Sequence, residues 1–336
     1  MSSVDVIVPC YNYAHYLREC VESVLGQSHS NVRVLIIDDA SPDDTADVAT
    51  DIAAADARVA VISHKRNKGH IATYNEGIEW ASADYMLILS ADDYLLAGAL
   101  ARAAELLDAH DDVGFTFGRV IERDDEGLET FVDAPIRGFD RLGHRIMRGS
   151  EFIATNKANC IVATCAAVVR TEMQKRVGGY RPELPHAGDF EMWLRFAAHG
   201  SVGFVNARQG VYRRHRTNMS WSYYANGLWG DLQQRRRAID CFVESCRDVL
   251  PDAEGQREKL LRALSIVMVG HASDAFNKGD MDTSARLSEL ALATYPHIDQ
   301  TPQWFRLTIK KRIGRRAWSA LRPAVAALRG ERLDRR

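Results

Sequence analysis

Two pairs of adjacent carboxylates stand out among the residues able to do chemistry. Asp92 and Asp93 follow the apolar run from Tyr85 to Leu89, and Asp38 and Asp39 follow the apolar run from Val32 to Ile37. Neighbouring anions repel each other unless a cation or hydrogen-bond donors offset the charge. A hard divalent ion that keeps waters and takes phosphate oxygens suits one or two such carboxylates. A carboxylate can also accept hydrogen bonds from a ribose diol or a base N–H, so the two pairs together outline a nucleotide-sugar site. The structural alternative for Asp92 and Asp93 is a solvated turn capping a helix that starts near Ala97. Asp43 and Asp44 read more simply, as first-turn helix acids stabilised by the helix dipole.

The elements that must position these acids are legible in order. Val4 to Val8 forms a short strand, and Leu17, Val21, Val24 and Leu25 recur at helical spacing, which predicts a helix from Ala14 to Leu25. Val32 to Ile37 is a second strand, Ser41 and Pro42 start a helix, and Val59 to Ile62 is a third strand. Asn67, Lys68 and Gly69 turn into a helix carrying Ile71, Asn75 and Ile78, and the run from Tyr85 is strand four. Alternating strands and helices with short links predict a parallel, doubly wound sheet. Ligands bind at the carboxyl ends of such strands, where both acid pairs fall.

Past Leu107 the pattern loosens. It predicts a strand over Val113 to Ile121, a charged loop from Arg123 to Glu129, and a short helix from Gly149 to Asn156. A buried strand over Cys160 to Val169 and a short helix over Glu172 to Val177 follow. Asp189 opens another helix, and separate strands over Val202 to Val205 and Gly210 to Tyr212 lead to Arg213, Arg214 and His215. From about Asn226 the chain reads as helical, with a hairpin turning at Gly279 and Asp280. The expected division is 1–105 and 106–225 as two halves of one domain, then a helical region 226–300 and a basic tail 301–336.

Composition narrows the class. The 336 residues are 46% hydrophobic and 26% charged, an ordinary globular profile. The six cysteines form no CxxC pair and no zinc spacing, which reads as reduced core thiols of a cytosolic protein. No apolar stretch reaches membrane-spanning length, and the N-terminus is not signal-like. From Trp304 onward eleven Lys and Arg face two acids, Glu331 and Asp334, a local +9 within a net −2 that leaves −11 elsewhere. Phe305, Ile309 and Ile313, extended by Trp318, Leu321 and Val325, line one side of this tail. Such a basic amphipathic segment fits an anionic lipid surface, which would make the protein peripheral on the inner face of the membrane. The alternatives are a helix packed on the body or a disordered basic end after Pro323.

Several function classes fall away. The first βα turn, from Pro9 to Tyr13, has no glycine, so it cannot bring backbone against a pyrophosphate as a dinucleotide fingerprint does. No GxxxxGK[ST] loop is present. Nucleic-acid binding is not expected, because one short basic segment stands alone without a recognisable module.

The motifs Val8-Pro-Cys-Tyr-Asn12, Asp38-Asp-Ala-Ser-Pro-Asp43, Asn67-Lys-Gly69, Asn75-Glu-Gly77 and Ala91-Asp-Asp93 occur in this order and spacing. The chain thereby resembles family 2 glycosyltransferases over residues 3–220. The resemblance implies the GT-A fold, a Rossmann-like mixed α/β sheet, here with a C-terminal helical extension. It implies a nucleotide-sugar donor, most often a UDP-sugar, with Mg²⁺ or Mn²⁺ and inversion at the anomeric carbon. The acceptor would be a saccharide or lipid-linked hydroxyl, in cell-surface polysaccharide or glycoconjugate synthesis.

Carried over by position, the resemblance implies that Pro9, Tyr11 and Asn12 line the uridine pocket, with Asn67, Gly69 and Asn75 in the same donor site. Asp39 would meet the base with Asp38 nearby, Asp92 would lie toward ribose and sugar, and Asp93 would hold the metal. Asp189 would be the catalytic base. Arg213, Arg214 and His215, followed by Asn218 and Ser220, would close over the diphosphate, His215 as a further metal ligand. The chain departs from the pattern at Ser90, where a third acid is common, and at Gly188, where Glu is common. Glu191 is therefore a rival base. Each role has a structural counterpart: Asp189 as a helix cap, His215 as a core histidine, Tyr11 as packing, Asn67 and Gly69 as turn residues. Two other function classes compete, a sugar-nucleotide nucleotidyltransferase and a non-catalytic saccharide-binding scaffold. The first would want a glycine-rich basic loop after strand one, which Pro9 to Tyr13 does not supply.

Overall fold

The computed structural model describes residues 2–132, 134–219 and 228–321. Its centre is one sheet of ten strands, in the order β3-β2-β1-β4-β9-β6-β10-β5, with β7 paired to β6 and β8 to β10. The first four are β1 (Val4–Cys10), β2 (Val32–Asp38), β3 (Val59–Ser63) and β4 (Tyr85–Ile88), all parallel to their neighbours in this set. Between them run α1 (Ala14–Leu25), α2 (Thr45–Ala55) and α3 (His70–Trp80). Alternation in β1 sends Val4, Val6 and Val8 into the layer shared with Leu17, Val21 and Ala49, from α1 and α2. Ile7, with Leu35 and Ile37 of β2, faces Ile71 and Ile78 of α3. The helix α3 sits close because Gly77 lacks a side chain: a methyl there would lie 2.3 Å from the Ile7 Cγ2.

The second half is not parallel throughout. After β5 (Tyr94–Leu95) and α4 (Ala99–Ala109) come β6 (Val113–Asp124), β7 (Glu129–Val132), β8 (His144–Met147) and α5 (Gly149–Asn156). The elements β9 (Val168–Arg170), α6 (Thr171–Val177), α7 (Gly188–His199) and β10 (Ser201–Arg214) complete the sheet layer. β9 runs antiparallel to both β4 and β6, and β10 is parallel to β6 but antiparallel to β5. One sheet therefore runs through residues 4–214 without a break between the two expected halves.

Four local expectations change. The segment from Arg123 to Glu129 is the tip of a β6–β7 hairpin rather than a plain loop. The expected strand from Cys160 is a 3₁₀ turn at Thr164–Ala166 before the three-residue β9, because this stretch lines a cavity instead of pairing along its length. The two expected strands 202–205 and 210–212 are one strand, β10, whose pairing with β6 shifts register between Val205 and Gly210. Asp43 and Asp44 precede α2: Asp43 accepts from the Thr45 backbone N–H (3.2 Å) and from the Ala14 N–H (3.0 Å), tying two helix starts together.

Helices α8 (Trp229–Ser245), α9 (Ala253–Lys278), α10 (Met281–Thr294) and α11 (Pro302–Ile313) follow. The expected hairpin is α9–α10, turning at Gly279 with φ +91° and capped by Asp280, whose side chain accepts from the Thr283 N–H. Leu232, Ile239 and Phe242 of α8 join the same buried cluster as Phe190, Trp193 and Phe196 of α7, so the helical region shares the core of the sheet layer. Residues 220–227, with Ser220 and the expected start of the helical region at 226–227, and the tail from Arg322 onward lie outside the described residues.

Candidate active site

A cavity of about 890 Å³ opens along the carboxyl ends of β1, β2 and β4 and reaches the start of α7. Pro9, Tyr11, Asn12, Asp39, Asn67, Gly69, Asp92, Asp93 and Asp189 all line it. Residues from opposite ends of the sheet-forming chain thus share one chamber. The turn after β1 is built by Asn12 in the left-handed region, φ 63°, its N–H donating to the Ser41 Oγ at 3.0 Å. Tyr11 is 49% exposed, so it lines the mouth and is not core packing.

The Asp39 carboxylate accepts the backbone N–H groups of Lys68 (2.7 Å) and Gly69 (2.9 Å). His64 adds its Nδ1 at 2.7 Å, and the other ring nitrogen meets Glu76 at 3.0 Å. Asp39 is therefore fixed in the mouth of the Asn67–Gly69 turn, where Gly69 adopts φ +84°. Its neighbour Asp38 acts locally instead. The Asp38 Oδ1 accepts the Ser41 N–H at 3.0 Å and so holds the turn that follows β2.

The Asp92–Asp93 pair lines the same chamber. The Asp92 Oδ2 is 3.0 Å from the His215 Nε2 and accepts from the Asn218 Nδ2 at 3.0 Å. The Asp93 Oδ1 accepts the backbone N–H of Arg213 at 2.9 Å. Burial and the adjacent Asp92 carboxylate push Asp93 well above the usual carboxylate range, despite the Arg213 hydrogen bond. Two carboxylates enclosed side by side are a suitable donor set for a hard cation. Among the described residues no group of three or more His, Cys, Asp or Glu could hold a metal ion. The oxygens of Asp92 and Asp93 fit an ion that draws its remaining ligands from water and phosphate.

Arg213, Arg214 and His215 do not point into the chamber as a group. The Arg213 guanidinium lies between the rings of Tyr16 and Tyr94, 4.8 and 4.7 Å from their centres, and bonds the Asp92 carbonyl (2.7 Å) and Glu19 (2.5 Å). It braces the Asp92–Asp93 turn from behind. Arg214 pairs with Glu122 at 3.1 Å on the surface. His215 is buried, its Nδ1 2.8 Å from the Thr217 Oγ1, and the carboxylate it meets is Asp92 rather than Asp93. Asn75 is likewise a brace. Its amide donates to the Tyr180 carbonyl (2.9 Å) and accepts the Tyr180 N–H (2.7 Å), clamping α3 to the loop before α7.

Asp189 lines the chamber from the first turn of α7, behind the N-cap Ala187. Its side chain makes no cap; the Oδ2 accepts from the Thr164 Oγ1 at 3.1 Å. Enclosure raises the Asp189 pKa, against hydrogen bonds from Thr164 and Tyr180 and the charges of His70 and His186, which lower it. Glu191, two residues on, is fully buried and away from the chamber. It pairs with Arg181 at 2.9 Å and with Arg195 at 2.8 Å, a core ion triad. The sequence offered no signal for Thr164, Tyr74, Tyr180, His70 or His186, which also line the chamber. None carries a spacing that marks it, and chain folding alone assembles them.

The family model "Glycosyl transferase family 2" matches residues 5–176. The Bacillus subtilis protein TuaG, a glycosyltransferase named for teichuronic acid biosynthesis, is 32% identical over 258 residues, 74% of this chain and 96% of its own. EpsJ of the same organism, an uncharacterized glycosyltransferase, is 35% identical over 30% of this chain and 29% of its own length. In solved structures, Staphylococcus aureus TarS 1-349 in complex with UDP-GlcNAc superposes with a TM-score of 0.57 at 14% identity, covering 87% of this chain and 92% of that one. The mannosyltransferase PcManGT of Pyrobaculum calidifontis, in complex with GDP-Man and Mn²⁺, gives 0.56 at 18% identity over 98% and 88%. Those two likenesses speak to the fold, a mixed α/β sheet with flanking helices of the GT-A type. With the family model over half the chain and TuaG aligned almost end to end, this chain belongs to glycosyltransferase family 2.

Proposed function

We propose that the protein transfers a sugar, with inversion, from a nucleoside-diphosphate donor to an acceptor hydroxyl. UDP-sugar is the donor class favoured, and Mg²⁺ or Mn²⁺ the cofactor. The observation that carries the reading is the gathering of acids in one chamber, which Asp39, Asp92, Asp93 and Asp189 all line. Asp39, locked by two backbone N–H groups, offers lone pairs to a base N–H. Pro9, Tyr11 and Asn12 supply the wall beside it, with Asn67 and Gly69 across the turn. Asp92 and Asp93 would hold the cation, which when bound supplies positive charge to the leaving diphosphate.

Asp189 receives the proton of the attacking hydroxyl. A raised pKa suits it, because general bases work best when their pKa lies nearer the operating pH. Thr164 and Tyr180 fix the carboxylate so that one oxygen can face the acceptor. A single base suffices, since direct displacement at C1 needs no covalent intermediate. Glu191 cannot take this role while Arg181 and Arg195 hold it in the core.

TuaG's name and the lipid-compatible tail favour an acceptor in cell-surface polysaccharide or glycoconjugate synthesis, saccharide or lipid-linked. Among the described residues no helix is long and apolar enough to cross a membrane. On α11, Leu307 is buried, and Lys310 and Lys311 bond Ser273 (2.5 Å) and Ser288 (2.9 Å), so one side packs on the helical body. Phe305 (64% exposed) and Ile313 (40%) face outward beside Arg306 and Arg312. That outer face supports a peripheral site on an anionic membrane, in a cytoplasmic protein. The experiment for the central reading is thermal shift with UDP-sugars and GDP-mannose, with and without Mn²⁺. Stabilisation by donor that depends on the metal is expected, because a ligand of the folded state raises apparent stability by mass action. No shift with any donor, together with no donor turnover, refutes it.

A further inference from the structure

The helical region reaches the chamber wall through one of its acids. His186 lines the chamber three positions before Asp189, and its Nε2 lies 2.8 Å from the Oδ1 of Asp231, in the first turn of α8. The Asp231 side chain keeps only 4% of its surface exposed, and the His186 side chain 11%. Arg235, one turn along α8, pairs with Asp231 at 3.0 Å and donates to the Ala158 carbonyl at 3.1 Å. Ala158 leads into the segment 160–165 that lines the chamber and carries Thr164, the partner of Asp189. One face of α8 thus grips both chain segments that flank the candidate base.

An ionised carboxylate accepts hydrogen bonds and cannot donate them, so its close approach to an imidazole favours a proton on the nearer nitrogen. The pairs with His186 and Arg235 hold Asp231 ionised: although burial opposes them, its pKa stays below the ordinary carboxylate value. The short approach of Asp231 limits where the His186 ring can lie. His186 lines the chamber three residues from Asp189, the acid that must meet the attacking hydroxyl. Polar groups held this way are typical of surfaces that read hydroxyls, because an ordered donor or acceptor loses little freedom when the ligand arrives.

We infer that Asp231 of α8 is a positioning residue that holds His186 as a contact for a hydroxyl of a saccharide acceptor, so that the helical region completes the acceptor end of the site. The inference rests on the glycosyltransferase reading and deepens it, naming a carbohydrate as the ligand class at this end. A simple latch between α8 and the loop before α7 would use the same pair, and the test must separate the two.

The test compares the full chain with Asp231→Asn and His186→Gln. UDP affinity is measured by calorimetry with Mn²⁺, and acceptor KM with a panel of para-nitrophenyl glycosides and the donor that the wild type accepts. The expected result is an acceptor KM raised at least tenfold in both variants, with UDP affinity within twofold of wild type. Should Asp231→Asn fail to fold, His186→Gln carries the same readout, since it removes the ring and leaves the Asp231–Arg235 pair. An unchanged acceptor KM in His186→Gln overturns the inference. So does a parallel loss of UDP affinity and acceptor use, the mark of a latch, and so does a wild type that turns over donor but accepts no glycoside. A wild type that neither binds nor turns over any donor refutes the glycosyltransferase reading itself and this inference with it.

Discussion

Asp189 and Glu191 lie two residues apart on α7, yet they should respond in opposite ways to the loss of one negative charge. In Asp189→Asn the remaining oxygen can still accept from Thr164 Oγ1, which lies 3.1 Å from Oδ2 in the native chain. The carboxylate it replaces is enclosed and carries a raised pKa, so folding gains little from its charge. Stability should stay near wild type or rise slightly. Transfer should fall by about 10²–10⁴, the usual worth of a general base, which corresponds to about 2.7–5.4 kcal/mol of transition-state free energy. Glu191→Gln removes the anion shared by Arg181 and Arg195, both within 2.9 Å, at a position with no exposed surface. Breaking one partner of a buried ion pair typically costs about 3–5 kcal/mol, so this variant should melt several degrees lower. The assay is paired: transfer rate with saturating donor, and melting temperature by calorimetry, for both variants. The reasoning fails if Asp189→Asn transfers sugar normally, or if Glu191→Gln loses transfer with no loss of stability.

Four further outcomes can be checked. The acidic limb of the rate–pH profile should lie above the ordinary Asp range, because the base must be ionised and its pKa is raised; a limb near pH 3.8 would remove Asp189 from that role. Asp93→Asn should keep the fold and lose metal-dependent donor turnover, whereas turnover with wild-type Mn²⁺ dependence would show that the ion is held elsewhere. Asp39→Ala should weaken UDP binding at least tenfold, since a hydrogen bond to a charged group is worth about 1.5–3 kcal/mol; equal affinities by calorimetry would contradict the base-pocket role. Phe305→Glu with Ile313→Glu should leave melting unchanged, as both side chains face solvent, and abolish sedimentation with anionic vesicles at low salt. A wild type that does not sediment there refutes the membrane face.

The sequence by itself determined the frame of this protein. Alternating apolar runs and helical spacing mark β1–β4 and the three helices between them, because each element of that half buries a face along its own length. The helical boundary at Ala14–Leu25 and the hairpin turn at Gly279 are local events, set by periodicity and by a glycine that accepts positive φ. The acid pairs at strand ends could be placed on one edge of the sheet for the same reason. Ordered motifs added the family.

What only the tertiary structure decided concerns partners distant in sequence. Asp189 and Glu191 are both acids in one helical turn, and the pattern around them does not say which one meets arginines. The answer depends on Arg181 and Arg195 arriving at Glu191 while Thr164 arrives at Asp189. Asn75 has the chemistry of a ligand-binding amide, but the Tyr180 backbone, 105 residues away, takes both of its hydrogen-bonding ends. Arg213 has the charge to cover a diphosphate, yet two tyrosine rings and Glu19 hold it behind the Asp92–Asp93 turn. The contact between Asp231 and His186 crosses from the helical region into the chamber wall and leaves no trace in spacing. Periodicity reports which face of an element is buried. It does not report what that face is buried against, and charged side chains take their roles from that neighbour.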